Sequence, residues 1–505
     1  RIWRMVVGRL MGRVSSFCCA IQPLPVQWAC RPFRAWVVWL VYKNRKHLRV
    51  FRPHIYHRPS CQATWLHALF TDADQRFGAE INDSSQKAGV TNAIWEVFMK
   101  SISGATLVRA VFAAGLVLSA GAATAQTKIG ALYPFSGGLA LLGDESYRGL
   151  ELATEERNTA GGVKGQKLEI VKGDAVDPNQ AVGEARRLTS VDKVSVVFGT
   201  YSSSLSLAAT QVTELAGVPY FELGAISDPI TERGFKNLFR SNPTARDFAA
   251  SMVDSIGGAI APALGVDVKT LKVAIIHEDS LYGQTVAGYQ TKRAQEKGIN
   301  VVETLPYSAK SVDLTPVILR LKSANVDVVL QTSYQNDTVL FFRQAKEQGF
   351  KPKAVMGAGG GYSLRETMEA IGAANMDGAL NVDFTQYKTN TAAAPGITEF
   401  VAKYKAKYGI EPRSGHSLAN YVGAKIFFDV LQNAKDMSAA AIRESVLKVD
   451  LPVGATASGW GAKFNEAGQN TRVAPFLMQW QNGELVTVFP EKAAVAKMKT
   501  GLGGN

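Results

Sequence analysis

Three groups of side chains in this sequence stand where chemistry could be done. Ser202 and Ser203 follow the apolar run VSVVFGT and fall at the expected start of a helix. Hydroxyls and free backbone N–H groups at such a start hold a carboxylate or another anion, and a serine there can equally do no more than cap the helix. Glu222, Ser227 and Asp228 lie in the turn ELGAISDPITERG, just past the next apolar run. Tyr282, in HEDSLYG, and Tyr334, in QTSYQND, each follow a later apolar run. A tyrosine just past a strand commonly packs on its own unit, but two in equivalent loops point to the lining of a shared cleft.

The signatures of catalysis are absent or displaced. GHSLA at Gly415–Ala419 has the spacing of a nucleophile elbow, which requires a strand, a sharp turn and a helix. EPR precedes it instead of a buried strand, so Ser417 is expected to cap a helix, and a hydrolase using Ser417 is the lesser alternative. His277 stands beside Glu278 and Asp279, but one histidine with two adjacent carboxylates lacks the convergent ligands of a zinc site. It is expected to be structural or at a cleft rim. The run AGGG at 358–361 lacks G-x-G-x-x-G spacing, and no G-x-x-x-x-G-K-[ST] occurs. No catalytic residue, metal site or cofactor is expected, and the protein reads as a binder and not an enzyme.

From Lys128 onward, apolar runs alternate with amphipathic stretches. Strands are expected at KIGALYPF, KLEIVKGD, VSVVFGT and VPYFELG, then at LKVAIIHE, INVVETLPY, VDVVLQTSY, KAVMGAG and ALNVDFT. Helical stretches such as YRGLELATEERN and TVLFFRQAKEQG lie between them. Such alternation gives parallel sheets with helices on both faces. One series runs to about Asn242, and a second opens with the helix after Arg246 and ends near Gly378. Helices from about Gly396, Ser417 and Ser438 follow, and a hairpin turning at Asn482-Gly483 closes the chain. Two α/β lobes joined by several connections make a hinged molecule, with a cleft lined by loops at the carboxyl ends of the strands.

The charge belongs to only part of the chain. Of a formal +13 over 505 residues, positions 1–98 hold 14 Lys/Arg and 5 Asp/Glu. Residues 126–505 carry 40 basic and 38 acidic side chains. All four cysteines and six of the eight tryptophans also fall before residue 99. From Met99, the positive Lys100 and Arg109, the apolar run Ala110–Ala120 and Ala123-Thr124-Ala125 form the pattern of a secretory leader, with Gln126 as the expected mature start. No cysteine stands at the cleavage point, so a lipid anchor is not expected. The basic, aromatic VYKNRKHLRVFRPHIYHR would suit a nucleic-acid arm. With no sustained period and a leader behind it, 1–98 is instead expected to be an extension outside the native protein, and no nucleic-acid partner is expected.

Residues 126–505 resemble the periplasmic solute-binding proteins of the branched-chain amino-acid class, the secreted receptors of ABC importers. The resemblance is carried by IGALYPFSGGLALLGDESYRGLELA, NTAGGVKGQKLEIVKGDAVDPNQAV and GTYSSS, and continues through DPITERG, VAIIHEDSLYG and LRLKSANVDVVL. It implies the type I periplasmic binding fold, two Rossmann-like lobes joined by a multi-strand hinge with the ligand between them. The lobes would be 126–246 with about 384–464, and 247–383 with about 465–505. It also implies a monomeric periplasmic protein that closes on one small solute and presents it to a membrane permease. A ligand-sensing domain of a signalling receptor is the alternative, and normally continues into a transmembrane helix and a signalling module.

Carried over by position, the resemblance gives Ser203 to the ligand carboxylate, with Tyr201 and Ser202 in the same loop and Gly224 and Ile226 as further carboxylate contacts. It sets Leu142 over the ligand and gives Tyr282 and Tyr334 to the second lobe. Two positions depart. Ile226 stands where amino-acid binders often carry a hydroxyl. Gly359 stands where they place the glutamate that meets the ligand ammonium. A buried ammonium without an anionic partner costs several kcal/mol. Either Glu222 or Asp337 supplies the charge, or the ligand is a carboxylate or amide without an ammonium, an aliphatic or aromatic acid included.

Overall fold

The computed structural model describes residues 43–44, 47–48 and 126–501. Lys43–Asn44 and His47–Leu48 form a two-residue antiparallel pair. The expected leader at 99–125 lies outside the described residues.

The first sheet is wholly parallel. It takes β1 (Thr127–Tyr133), β2 (Leu168–Asp174), β3 (Val196–Gly199), β4 (Tyr220–Glu222) and β5 (Leu238–Arg240) in the order β2-β1-β3-β4-β5. Ile129, Ala131, Val196 and Phe198 on its inner strands are fully buried, as a sheet covered on both faces requires. Helices α1 (Ala140–Thr159), α2 (Pro178–Arg186) and α3 (Ser203–Leu215) make the crossovers. The Asp177 side chain starts α2 by accepting from the amides of Asn179 and Gln180, with Pro178 pre-set in the first turn. β5 is not among the expected strands. Its three residues carry no pattern of their own, and its pairing with β4 makes it one.

After α4 (Ala245–Ser255) the chain enters the second sheet, built from β6 (Val273–Glu278), β7 (Val301–Tyr307), β8 (Val328–Thr332), β9 (Ala354–Gly357) and β10 (Leu380–Asp383). The first four are joined through α5 (Leu281–Lys297), α6 (Thr315–Ser323) and α7 (Gln335–Glu347), and α8 (Arg365–Ile371) follows β9. The chain then returns to the first sheet as α9 (Ile397–Tyr408), α10 (Gly415–Asn433) and α11 (Ala439–Leu447). Leu418, Val422 and Phe427 of α10 share one core with Ile129 and Phe198. A last crossing delivers β11 (Phe476–Gln481) and β12 (Glu484–Phe489) to the second sheet, whose order is β12-β11-β10-β9-β8-β6-β7. Both β11 and β12 run antiparallel to their neighbours. Their turn has Asn482 at φ 54 and Gly483 at φ 81, the paired positive φ that Asn-Gly supplies in a tight hairpin.

Both parallel segments repeat one plan, in which the chain reverses direction across the sheet between its first and third strands. Loops at that reversal splay apart and leave a crevice at the carboxyl ends. In the first sheet these loops follow β1 and β3, and in the second they follow β6 and β8. The crossings are also tied to one another. The Arg240 amide donates to Gly468 O at 2.8 Å, the Asn470 amide donates to Arg240 O at 2.9 Å, and Gln469 Nε2 donates to Asn242 O at 2.9 Å.

Candidate ligand-binding cleft

A small cavity lies between the carboxyl ends of the two sheets. Leu142, Tyr201, Gly224 and Ile226 line it from the first sheet's loops, and Tyr282, Tyr334 and Gly359 from the second's. The wall is completed by Phe248 of α4, the Ala358–Gly360 backbone, Asp383 and Phe384 at the end of β10, and His416 at the start of α10. The crevice is closed by direct contacts. Tyr334 Oη donates to Ser202 Oγ at 3.4 Å, the Leu281 amide donates to Ser204 Oγ at 3.3 Å, and Ser227 Oγ donates to Leu281 O at 3.2 Å.

Local chemistry fixes each wall residue. Tyr201 holds φ 78, a conformation that costs a non-glycine residue about 1–2 kcal/mol. It is buried there with its hydroxyl on Leu139 O at 2.8 Å. A Cβ on Gly224 would meet Tyr201 Cβ at 2.8 Å, so only glycine lets these two loops approach. Tyr282 spends its hydroxyl on Ala358 O at 2.5 Å and packs against Tyr334 with ring centroids 5.3 Å apart. The Phe384 ring lies 5.5 Å from Phe248 and 5.0 Å from the His416 imidazole. Burial lowers His416 to a pKa of about 3, so the ring is neutral at physiological pH.

Of the residues expected from sequence, Leu142, Tyr201, Gly224, Ile226, Tyr282, Tyr334 and Gly359 meet at this cavity. Ser202 and Ser203 stand behind Tyr201. Neither caps α3, because the Ser202 side chain makes no cap hydrogen bond, and Ser203 Oγ accepts from the Ser227 amide at 3.3 Å.

The two carboxylates considered as sources of charge are turned elsewhere. Glu222 accepts from the amides of Leu223, Gly224 and Ala225 and from Ser206 Oγ, bracing the loop behind Gly224. Asp337 caps α7 through the Tyr334 amide at 2.9 Å and accepts from Tyr307 Oη at 2.7 Å. The acid at the cavity is Asp383. Sequence reasoning passed over it, although it lies near the carboxyl end of the expected strand ALNVDFT, where the carboxyl-end rule places ligand contacts. Phe248 and His416 carry no such signal, because they reach the cavity only through the crossings between the sheets.

One other expectation is corrected. Ser417 does not cap a helix. Ser414 does, accepting from the His416 amide, while Ser417 sits fully buried one turn on and donates to Glu145 Oε1 at 2.5 Å. Its hydroxyl thus serves a buried carboxylate, without the strand–turn–helix of an elbow. His277 is also buried, off the cavity, with Nδ1 2.9 Å from Glu278 O. Among the described residues no group of three His, Cys, Asp or Glu side chains is placed to hold a metal. Nor is any helix among them long and apolar enough to cross a membrane.

Two parallel α/β units closing on a cavity at their strand reversals define a bilobal binding protein. Residues 126–484 match the periplasmic binding protein family model, and the chain belongs to that family. It is 54% identical over 390 residues to the Leu/Ile/Val-binding protein homolog 7 of Brucella suis biovar 1 (strain 1330), covering 77% of this chain and 98% of the relative. Its fold is similar to that of the branched-chain amino acid transporter substrate-binding protein LivJ of Streptococcus pneumoniae, solved with isoleucine. There the TM-score is 0.63 at 23% identity, over 74% of this chain and 100% of the other. A solute-binding protein of an R. palustris ABC transporter, solved with 4-hydroxybenzoate, gives a TM-score of 0.63 at 20% identity, over 75% and 98%. The protein is a solute-binding protein, and its family is one of binders and not of enzymes.

Proposed function

We propose that the protein captures one small carboxylate- or amide-bearing solute in the cavity between the sheets and delivers it to a membrane permease from the periplasm. The observation that supports this is the wall itself, to which loops of both sheets contribute. A solute touching both stabilises the closed state by the contacts it loses on opening, which is how ligand shifts the population of a hinged molecule. The working lobes in this reading are 126–246 with about 384–464, and 247–383 with about 465–505, in a monomer. The uncapped start of α3 is the seat for an anionic end, through Ser203 and neighbouring amides. The names of the relatives suggest branched-chain amino acids, and the 4-hydroxybenzoate complex extends the candidates to aromatic acids.

Calorimetric titration with leucine, isoleucine, valine, aliphatic amides and aromatic acids tests this. One of these is expected to bind saturably at one site per chain, and Ser203→Ala is expected to weaken it by about 1–3 kcal/mol. Unchanged affinity in Ser203→Ala would remove the α3 start from the site.

A further inference from the structure

Position 359, where the resemblance implies an acid that meets a ligand ammonium, holds glycine. The space is nevertheless occupied by an acid. A Cβ built on Gly359 would lie 3.0 Å from Asp383 Oδ1, 3.3 Å from its Cγ and 3.3 Å from Phe248 Cε1. Asp383 thus reaches from the end of β10 into the volume that a side chain at 359 would otherwise fill.

Neighbouring donors hold the carboxylate at the cavity wall. A carboxylate offers about four acceptor positions. Oδ2 accepts from Ser363 Oγ and from Gln386 Nε2 at 3.0 Å, and Oδ1 accepts from the Phe384 amide at 2.7 Å. The Asn381 side chain also contributes a hydrogen bond to this carboxylate, and Oδ1 is its oxygen nearest Gly359. No Lys or Arg lines the cavity, so nothing fixed there neutralises this carboxylate. The rings of Phe248, Phe384, Tyr201 and Tyr282 surround the space, and aromatic faces attract a cation and repel an anion. A nitrogen-free acid would bring a second negative charge to a buried carboxylate, whereas a cationic nitrogen supplies the partner that buried charge requires.

Building on the receptor reading above, we propose that Asp383 replaces residue 359 as the counter-ion for a cationic nitrogen on the ligand. The cleft therefore selects amino acids or related zwitterions over simple carboxylic acids. Burial raises the Asp383 pKa to about 7 with the cleft empty, so the arriving cation also holds the carboxyl in its charged form.

The test pairs each amine with its nitrogen-free isostere on the full chain, read by calorimetry and thermal shift. L-leucine is set against 4-methylpentanoate, L-proline against cyclopentanecarboxylate, and glycine betaine against 3,3-dimethylbutanoate, with 4-hydroxybenzoate added. At least one nitrogen-bearing member is expected to bind about a hundredfold or more tighter than its isostere. Asp383→Asn is expected to erase that difference while melting, without ligand, no lower than the wild type. Equal binding of an amine and its isostere, or unchanged amine affinity in Asp383→Asn, would overturn the assignment. If Asp383→Asn does not fold, the isostere pairs on the wild-type chain decide alone. Tight binding of 4-hydroxybenzoate with no response to any amine would overturn the assignment and leave the receptor reading standing. Silence of the wild type toward every probe would overturn both.

Discussion

Arg240→Met is expected to cost the fold about 3–5 kcal/mol. Arg240 is the largest fully buried side chain of the described residues, at the end of β5 where two crossings between the sheets meet. Its guanidinium donates to Gln469 Oε1 at 2.6 Å, to the carbonyls of Ser227 at 2.7 Å and Ala225 at 3.2 Å, and to Thr231 Oγ1 at 3.2 Å. Burial pulls its pKa down, against the opposing pull of Asp228 and Glu222. Methionine fills much of the volume but pairs none of these acceptors. It leaves carbonyls and two buried carboxyls without compensation, which is the costly way to break a buried network. The same carbonyls bracket Ile226 in the cavity wall, so ligand affinity should fall along with stability. Urea unfolding followed by circular dichroism measures the first effect. A loss below about 1 kcal/mol would mean the network is solvated or redundant.

The second large effect is expected from placing an acid at position 359. Gly359→Glu is expected to lower stability by about 2–5 kcal/mol and to abolish amine binding. Gly359 holds φ 80, a backbone that costs any L side chain about 1–2 kcal/mol. The new Cβ would be pressed against Asp383 Oδ1 and the Phe248 ring, and overpacking of this kind costs about 1–3 kcal/mol. The new carboxylate would also face a buried one, and two like charges cannot both ionise at such a distance. Thermal melting with and without L-leucine reads both consequences. A Gly359→Glu protein that is as stable as the wild type and binds leucine more tightly would make Asp383 a bystander.

The two positions show what could be read from the sequence and what could not. The strand–helix alternation, the hairpin at Asn482-Gly483 and the tyrosines past β6 and β8 follow from local pattern, because period and turn chemistry are local properties. The resemblance of 126–505 to solute-binding proteins rests on long blocks and is matched by the family model over 126–484. β5 escaped because only its neighbour makes it a strand. Asp383 escaped for a different reason. What marks it is its close approach to Gly359, 24 positions away in sequence, which exists only once β9 and β10 pair. Glu222 and Asp337 looked equally able to supply a charge until their hydrogen bonds were known. A carboxylate already holding three amides, as Glu222 does, has little left to offer a ligand.

Hydrogen exchange of the full chain, with and without a saturating amount of the solute that binds most tightly, tests the central claim most directly. If one solute bridges both sheets, exchange should slow together in the loops around 200–204 and 224–227 and in those around 280–282, 333–335, 358–361 and 383–386. Slowing confined to the loops of a single sheet would contradict a receptor that closes on its ligand.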